Sequence, residues 1–185
     1  MPKRKRLICF ANNNASRNNL LKKYLPLSIK IENLVIKKKD LKKVKGEIKF
    51  QIKKKDLFFD KDKKFYNTRY IEHPINKYLI FKKKEYEIFF KKIKIKEIIY
   101  LDLIDIKIKK TIEFSKILNE FVNSYDKINF DYLNIFSFKG SRFSKYLKKL
   151  FFKEKRINDK SLIISNNLSQ NKLKNKIIFL GDADY

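Results

Sequence analysis

The chain is 185 residues long with 43% hydrophobic and 15% aromatic residues, enough to fill a core and too many for intrinsic disorder despite 36% charged residues. It carries 47 Lys+Arg against 20 Asp+Glu, a formal net charge of +27, with 3 Gly, 3 Pro and 1 Cys. This excludes a collagen-like or linker-like chain, a glycine-rich phosphate loop, a disulfide scaffold and a thiolate metal cluster, and no run reaches the roughly 18 apolar residues of a membrane span.

In chain order, residues 1–6 are basic, but no apolar stretch of signal-peptide length follows, so the cytoplasm is the expected location. Residues 7–10 are a short apolar run that reads as a buried strand containing Cys9, a small core residue. Ser16 caps a helix running through Leu20, Leu21, Tyr24 and Leu25, and Pro26 ends it. Residues 28–36 and 47–52 alternate apolar and polar and read as strands. After a charged turn at 60–64, Phe65, Tyr66, Arg69, Tyr70 and His73 recur at helical spacing, closed by Pro74.

The middle of the chain is β-rich. Residues 78–82, then Tyr86, Ile88 and Phe90, then 98–106 form three strands with short connections, which predicts an antiparallel meander. In the third, Ile99, Leu101 and Leu103 take one face; Tyr100, Asp102, Ile104 and Ile106 take the other. That places Asp102 and Asp105 on opposite faces. A helix follows, with Ile112, Phe114, Ile117, Leu118, Phe121, Val122 and Tyr125 on its apolar face. Residues 130–138 are apolar on both sides, as in a buried central strand. Gly140 and Ser141 open a last helix carrying Phe143, Tyr146, Leu147, Leu150 and Phe151 on one stripe. Two strands around 162–164 and 177–180 end the series, and no internal repeat is visible.

From residue 65 the order is helix, three strands, helix, strand, helix, two strands, an α/β sandwich with a mixed sheet. This order is similar to the core of the GNAT acyltransferase superfamily. Phe65-Tyr66-Asn67-Thr68-Arg69-Tyr70-Ile71-Glu72-His73-Pro74, followed by Tyr78, resembles the "FxxWRYxxHPxxxY" segment of GNAT-like proteins of bacterial surface-polysaccharide synthesis, with Thr68 in place of Trp. The ending Gly181-Asp182-Ala183-Asp184-Tyr185 resembles the "GDxD" ending of the same group. Such proteins often carry two GNAT-like halves, and Cys9-Phe10-Ala11-Asn12 to Ser16 with Leu21-Lys22-Lys23-Tyr24 looks like the late strand and helix of a first half. The resemblance implies an α/β fold with a mainly antiparallel mixed sheet flanked by helices. It divides the chain into residues 1–46, a remnant of a first half and connector, and 47–185, a GNAT-like domain. It also implies that a partner chain supplies the rest of the first half.

What the resemblance implies chemically is N-acetyl transfer from acetyl-CoA to an amine of a sugar nucleotide or polysaccharide precursor. The donor would lie along the third meander strand at Leu103, Ile104 and Ile106, with Asn134 on the neighbouring strand. GNAT enzymes seat the pyrophosphate on a glycine turn at a helix N-terminus; the matching segment Ile106-Lys107-Ile108-Lys109-Lys110-Thr111 has no Gly, so Lys107, Lys109 and Lys110 supply the attraction as charges. Tyr146 takes the place of the general acid, and Arg69, His73 and Tyr78 face the acceptor.

Each of these residues also has a plainer reading. His73 can bond backbone at a helix end, Arg69 can pair with Glu72, Tyr146 can be an amphipathic core residue, and Asp182 and Asp184 can pair with lysines rather than bind metal. The charge has two readings as well. Only six basic residues are Arg and the lysines are spread along the chain, which fits A- and T-rich coding and weak, salt-sensitive polyanion binding. The alternative functions are a basic, non-enzymatic nucleic-acid-binding protein using aromatic stacking, and an inactive structural fragment.

Overall fold

The computed structural model describes residues 8–11, 27–44, 49–57, 61–124, 128–155, 161–164 and 175–179, and of 8–11, 27–30 and 161–164 the backbone alone. The helix expected after Ser16, Pro26, the side chain of Cys9 and the pair Asp182 and Asp184 lie outside the described residues. In chain order the elements are β1 (Ile8–Ala11), β2 (Leu27–Lys37), a one-turn helix α1 (Lys38–Leu41), β3 (Gln51–Ile52), α2 (Lys63–Tyr66) running into a π-helical turn (Asn67–Ile71), and β4 (Leu79–Lys82). There follow β5 (Tyr86–Ile95), β6 (Ile98–Ile108), β7 (Ile112–Glu113), α3 (Phe114–Ser124), β8 (Tyr132–Phe138), α4 (Arg142–Lys149), β9 (Lys153–Glu154) and β10 (Ser161–Ile164).

These form a mixed α/β fold around one large sheet in the order β1-β10-β2-β8-β6-β5-β4, with β9 also on β2. Every pairing in it is antiparallel except β6 with β8. The meander β4-β5-β6 matches the expectation from its short connections. A parallel neighbour for β6 then needs a long crossover, and α3 lies within it. Leu34, Ile36, Leu101, Leu103, Leu133 and Ile135 project to one face, the near face, and form the main core with Phe114 and Ile117 of α3 and Phe143 and Leu147 of α4. On the far face a smaller aromatic cluster covers Phe89 and Ile104 with Tyr66 and Tyr70.

Side chains lock α4 to the sheet. Ser141 Oγ accepts the Ser144 N–H at 3.0 Å and caps the helix. The buried Glu32 carboxylate on β2 accepts from Ser144 Oγ and from Lys148 Nζ at 2.6 Å.

Several expectations are corrected. α3 begins at Phe114, because Ile112 and Glu113 pair with Ile52 and Gln51 in a two-stranded ladder. The strand expected over 47–52 is reduced to Gln51–Ile52 in that ladder. The helix around residues 65–73 is one α-turn followed by a π-turn. Ile177 makes a single parallel bridge to Leu57 in place of a closing strand. The strand expected over 28–36 is β2, which pairs with β8 in the large sheet. The alternation of β6 also breaks. Phe89 pairs with Asp105 and Phe90 with Leu103, so Ile104 is an extra, bulged residue. Ile106 therefore joins Leu103 in the near-face core, and Asp105 shares the far face with Asp102 instead of opposing it.

Candidate functional site

The parallel register of β6 and β8 runs from Tyr100↔Tyr132 to Leu103↔Ile135. Both strands continue: β6 stays on β5 as far as Ile108↔Tyr86, and β8 stays on β2 as far as Phe138↔Ile31. They part beyond Leu103 and Ile135, where the Ile104 bulge lies, and a wedge opens between their C-terminal halves. In open α/β sheets ligands sit beyond the carboxyl ends of parallel strands.

The backbone of β6 presents polar groups to this wedge. Lys109 N–H donates to the Glu85 carbonyl at 3.0 Å across the β5 ladder. Alternation along an antiparallel ladder then turns the N–H and C=O of Ile106 away from β5 and into the wedge. Both are capped from within the chain: the N–H donates to Asp105 Oδ1 at 2.8 Å, and the C=O accepts from the Tyr66 hydroxyl at 3.4 Å. The second of these bonds is long and correspondingly weak.

Asp105 joins the wedge to the far-face cluster. Its Oδ2 accepts from Lys61 Nζ at 2.6 Å and from the Tyr70 hydroxyl at 2.8 Å, all within a buried setting. Tyr66 and Tyr70 stack on Phe89 with centroids 5.2 and 4.5 Å away. Lys107 Nζ bonds Glu87 at 3.4 Å and lies 5.1 Å over the Tyr66 ring.

Of the residues singled out in the sequence, Leu103 and Ile106 point into the near-face core and Ile104 points to the far face. Lys109 and Lys110 are exposed where β6 ends. Asn134 donates to Asp102 Oδ1 at 2.9 Å. His73 Nδ1 accepts from the N–H groups of Ile75 and Asn76, at 3.2 and 2.9 Å, closing the turn around Pro74. Tyr78 meets Tyr70 edge-on at 5.0 Å and lies 6.1 Å from His73. His73 and Tyr78 thus gather beside the far-face cluster, with Arg69 half-buried on the π-turn that carries Tyr70.

Tyr146 is set apart from this group. It stacks on Phe50 at 4.8 Å, lies 6.2 Å from Phe114 in the near-face core, and is only 4% exposed. Burial pushes its phenol up to about 12, against a smaller opposing pull from Ser115 and a further push from Glu113. Ser115 does not reach hydrogen-bond geometry, and the hydroxyl has no partner.

Tyr66, Tyr70, Asp105 and Lys61 were not recognised as site residues from the sequence. The available signal was Asp105 itself, an acid inside an otherwise apolar strand, which must find donors when buried. A second polar group, Asn33, Asn134 and Asp102, crosses β2, β8 and β6 on the far face at the apex of the wedge. At the opposite end of these strands a cleft of about 670 Å³ is lined by Lys37, Lys38, Lys39 and Lys42 with Phe130 and Tyr132, and also by Glu97 and Asp131.

Among the described residues no group of three or more His, Cys, Asp or Glu is placed to hold a metal ion, and no helix is long and apolar enough to cross a membrane. No protein-family model, curated protein or solved structure matches the chain.

Proposed function

We propose that the chain is a GNAT-like acyltransferase domain of bacterial surface-polysaccharide synthesis, with acetyl-CoA as donor and an amine of a sugar nucleotide or polysaccharide precursor as acceptor. The observation that carries this reading is the wedge, two parallel strands that part at a bulge and turn the Ile106 amide into the gap. The residues present fit such a donor. An amide-bearing arm needs a backbone donor and acceptor in one apolar slot, and Ile106 supplies both; its own caps are a carboxylate and a weakly bonded hydroxyl. A pyrophosphate needs positive charge at the slot's mouth, and Lys109 and Lys110 stand exposed there, with Lys107 beside them.

Bound in the wedge, acetyl-CoA would supply the acetyl thioester that the amine attacks. The chain's own part is to hold and orient. Ile106 exchanges its internal partners for those of the donor arm, the lysines act as point charges in place of a glycine turn, and Arg69, His73 and Tyr78 line the approach on the far face. Tyr146, sealed on the near face, has no part in this machinery.

The test is a calorimetric titration with acetyl-CoA at physiological salt, with ATP as polyanion control. Saturable binding of acetyl-CoA at least tenfold tighter than ATP is expected. Equal, weak binding of both that fades as salt rises would mean that only charge is read, and would end the enzymatic reading.

The basic cleft favours a second reading, a nucleic-acid-binding protein, because lysines beside the partly exposed Tyr132 match the charge-plus-stacking pattern. Glu97 and Asp131 in the same wall weaken it. Single-stranded oligonucleotide binding that persists at physiological salt and falls on Tyr132→Ala would favour it over the acyltransferase.

A further inference from the structure

The centre of the sheet holds a polar feature that the packing does not account for. Asn33 is 5% exposed, and neither its amide nitrogen nor its carbonyl oxygen has a hydrogen-bond partner. Asn134 is 3% exposed; its amide donates to Asp102, and its carbonyl oxygen has no partner. Buried polar atoms are nearly always satisfied, and each exception costs on folding. Three such atoms on neighbouring strands therefore need something outside the hydrogen bonds of the chain.

Register places the three residues in one row. Asn33 pairs with Phe136 and Val35 with Asn134, so Asn33 and Asn134 are diagonal neighbours on one face of the β2–β8 ladder. Asn134 lies directly across from Asp102 on β6. The row ends one residue before the last β6–β8 pair, on the face away from α3 and α4. Leucines and isoleucines occupy the adjacent near-face positions Leu34, Leu101, Leu103, Leu133 and Ile135, so at this row the polar side chains are on the far face.

We propose that Asn33, Asn134 and Asp102 form a binding site for a sugar ring carrying hydroxyls and an amine. The inference deepens the acceptor half of the proposed function and rests on it. The row leaves two carbonyl acceptors and one amide donor open beside a carboxylate. Such a set recognises a ligand richer in donors than acceptors. Hydroxyls donate and accept, and an ammonium only donates, so an amino sugar matches the imbalance better than a neutral sugar, and a free phosphate matches it worst. This preference runs against the +27 charge of the chain, which makes it a property of the row and not of the surface.

The test uses the full isotope-labelled chain and follows the Asn33 side-chain amide by NMR while glucosamine, glucose and inorganic phosphate are added separately. Glucosamine is expected to shift that amide saturably, glucose several-fold more weakly, and phosphate not at all. Asn33→Leu removes the two unpartnered atoms of that side chain at similar volume, so it is expected to fold with an unchanged or higher melting temperature and to lose at least tenfold in glucosamine affinity, read in this variant at the Asn134 side-chain amide. No saturable shift with either sugar would mean that ordered water alone fills the row and would overturn the proposal. So would glucose binding as tightly as glucosamine, phosphate binding as well as either sugar, or unaltered glucosamine affinity in Asn33→Leu. Acetyl-CoA is titrated in a separate sample: sugar binding without acetyl-CoA binding removes the donor reading and leaves this site standing, and the reverse removes only this site.

Discussion

Asp105 is the residue on which the far face depends. Its carboxylate takes the charge of Lys61, the hydroxyl of Tyr70 and the N–H of Ile106. Removing one member of a buried ion pair usually costs more than the pair ever contributed, because the other charge stays behind in a poor solvent. Asp105→Asn keeps the shape and one acceptor oxygen but removes the buried negative charge bonded to Lys61, and should lower stability in urea unfolding by up to about 3–5 kcal/mol. The double change Asp105→Leu with Lys61→Met should recover most of that loss, since apolar replacement of a whole buried pair is often neutral. A loss below about 1 kcal/mol in Asp105→Asn would mean that Lys61 finds water or another anion without rearrangement, and the hub would be an ordinary surface pair. Tyr146 shows the opposite economy, a hydroxyl kept in the core with no partner, on a ring that Phe50 and Phe114 already hold in place.

At the scale of elements, α4 ends in a strained position. Phe151 N–H bonds the Lys148 carbonyl and Phe152 N–H bonds the Leu147 carbonyl, both at 3.2 Å, the paired bonds of a Schellman ending. The residue between them takes the left-handed conformation, and here it is Phe151, with φ +68° and a ring 63% exposed. A Cβ in that conformation costs roughly 1–2 kcal/mol, and an exposed ring returns little of it. Phe151→Gly should therefore raise the thermal midpoint, by the equivalent of about 1 kcal/mol. A drop in the midpoint would show that the ring covers apolar surface after all. The sequence placed α4 itself well, because its apolar residues recur at helical spacing, and the meander was equally legible from its short links. The Ile104 bulge was not. Residues 98–106 are so uniformly apolar that a shift of one position leaves the pattern almost unchanged. The Asp105 hub and the direction of Ile106 both follow from that shift and were hidden with it. Asn33 and Glu32 were missed for a related reason. Alternation in residues 28–36 reads polar positions as solvent-facing, and only pairing with a strand a hundred residues later buries them.

Over the whole molecule, the excess of positive charge makes nonspecific anion binding the background for every measurement. Most lysine runs end strands or fill turns and stand exposed, as at residues 53–55 and 82–84. Exposed charges of this kind act together through a long-range field that salt screens over about 10 Å. A specific site must therefore be separated from the field by position and not by charge count. Lys109 and Lys110, at the mouth of the wedge, serve this comparison with Lys92 and Lys94, which are also exposed and lie toward the opposite end of the β5–β6 ladder. Each pair changed to Ala lowers the net charge by the same two units, so a purely electrostatic chain would lose acetyl-CoA and ATP affinity equally in both variants. If the wedge is the donor site, the change at Lys109 and Lys110 should weaken acetyl-CoA by about tenfold at physiological salt, on the scale of about 1.4 kcal/mol. The change at Lys92 and Lys94 should weaken it by less than about twofold, because contacts beyond a screening length contribute little. Equal losses in the two variants, read by calorimetry, would make the chain a general polyanion binder with no donor site in the wedge.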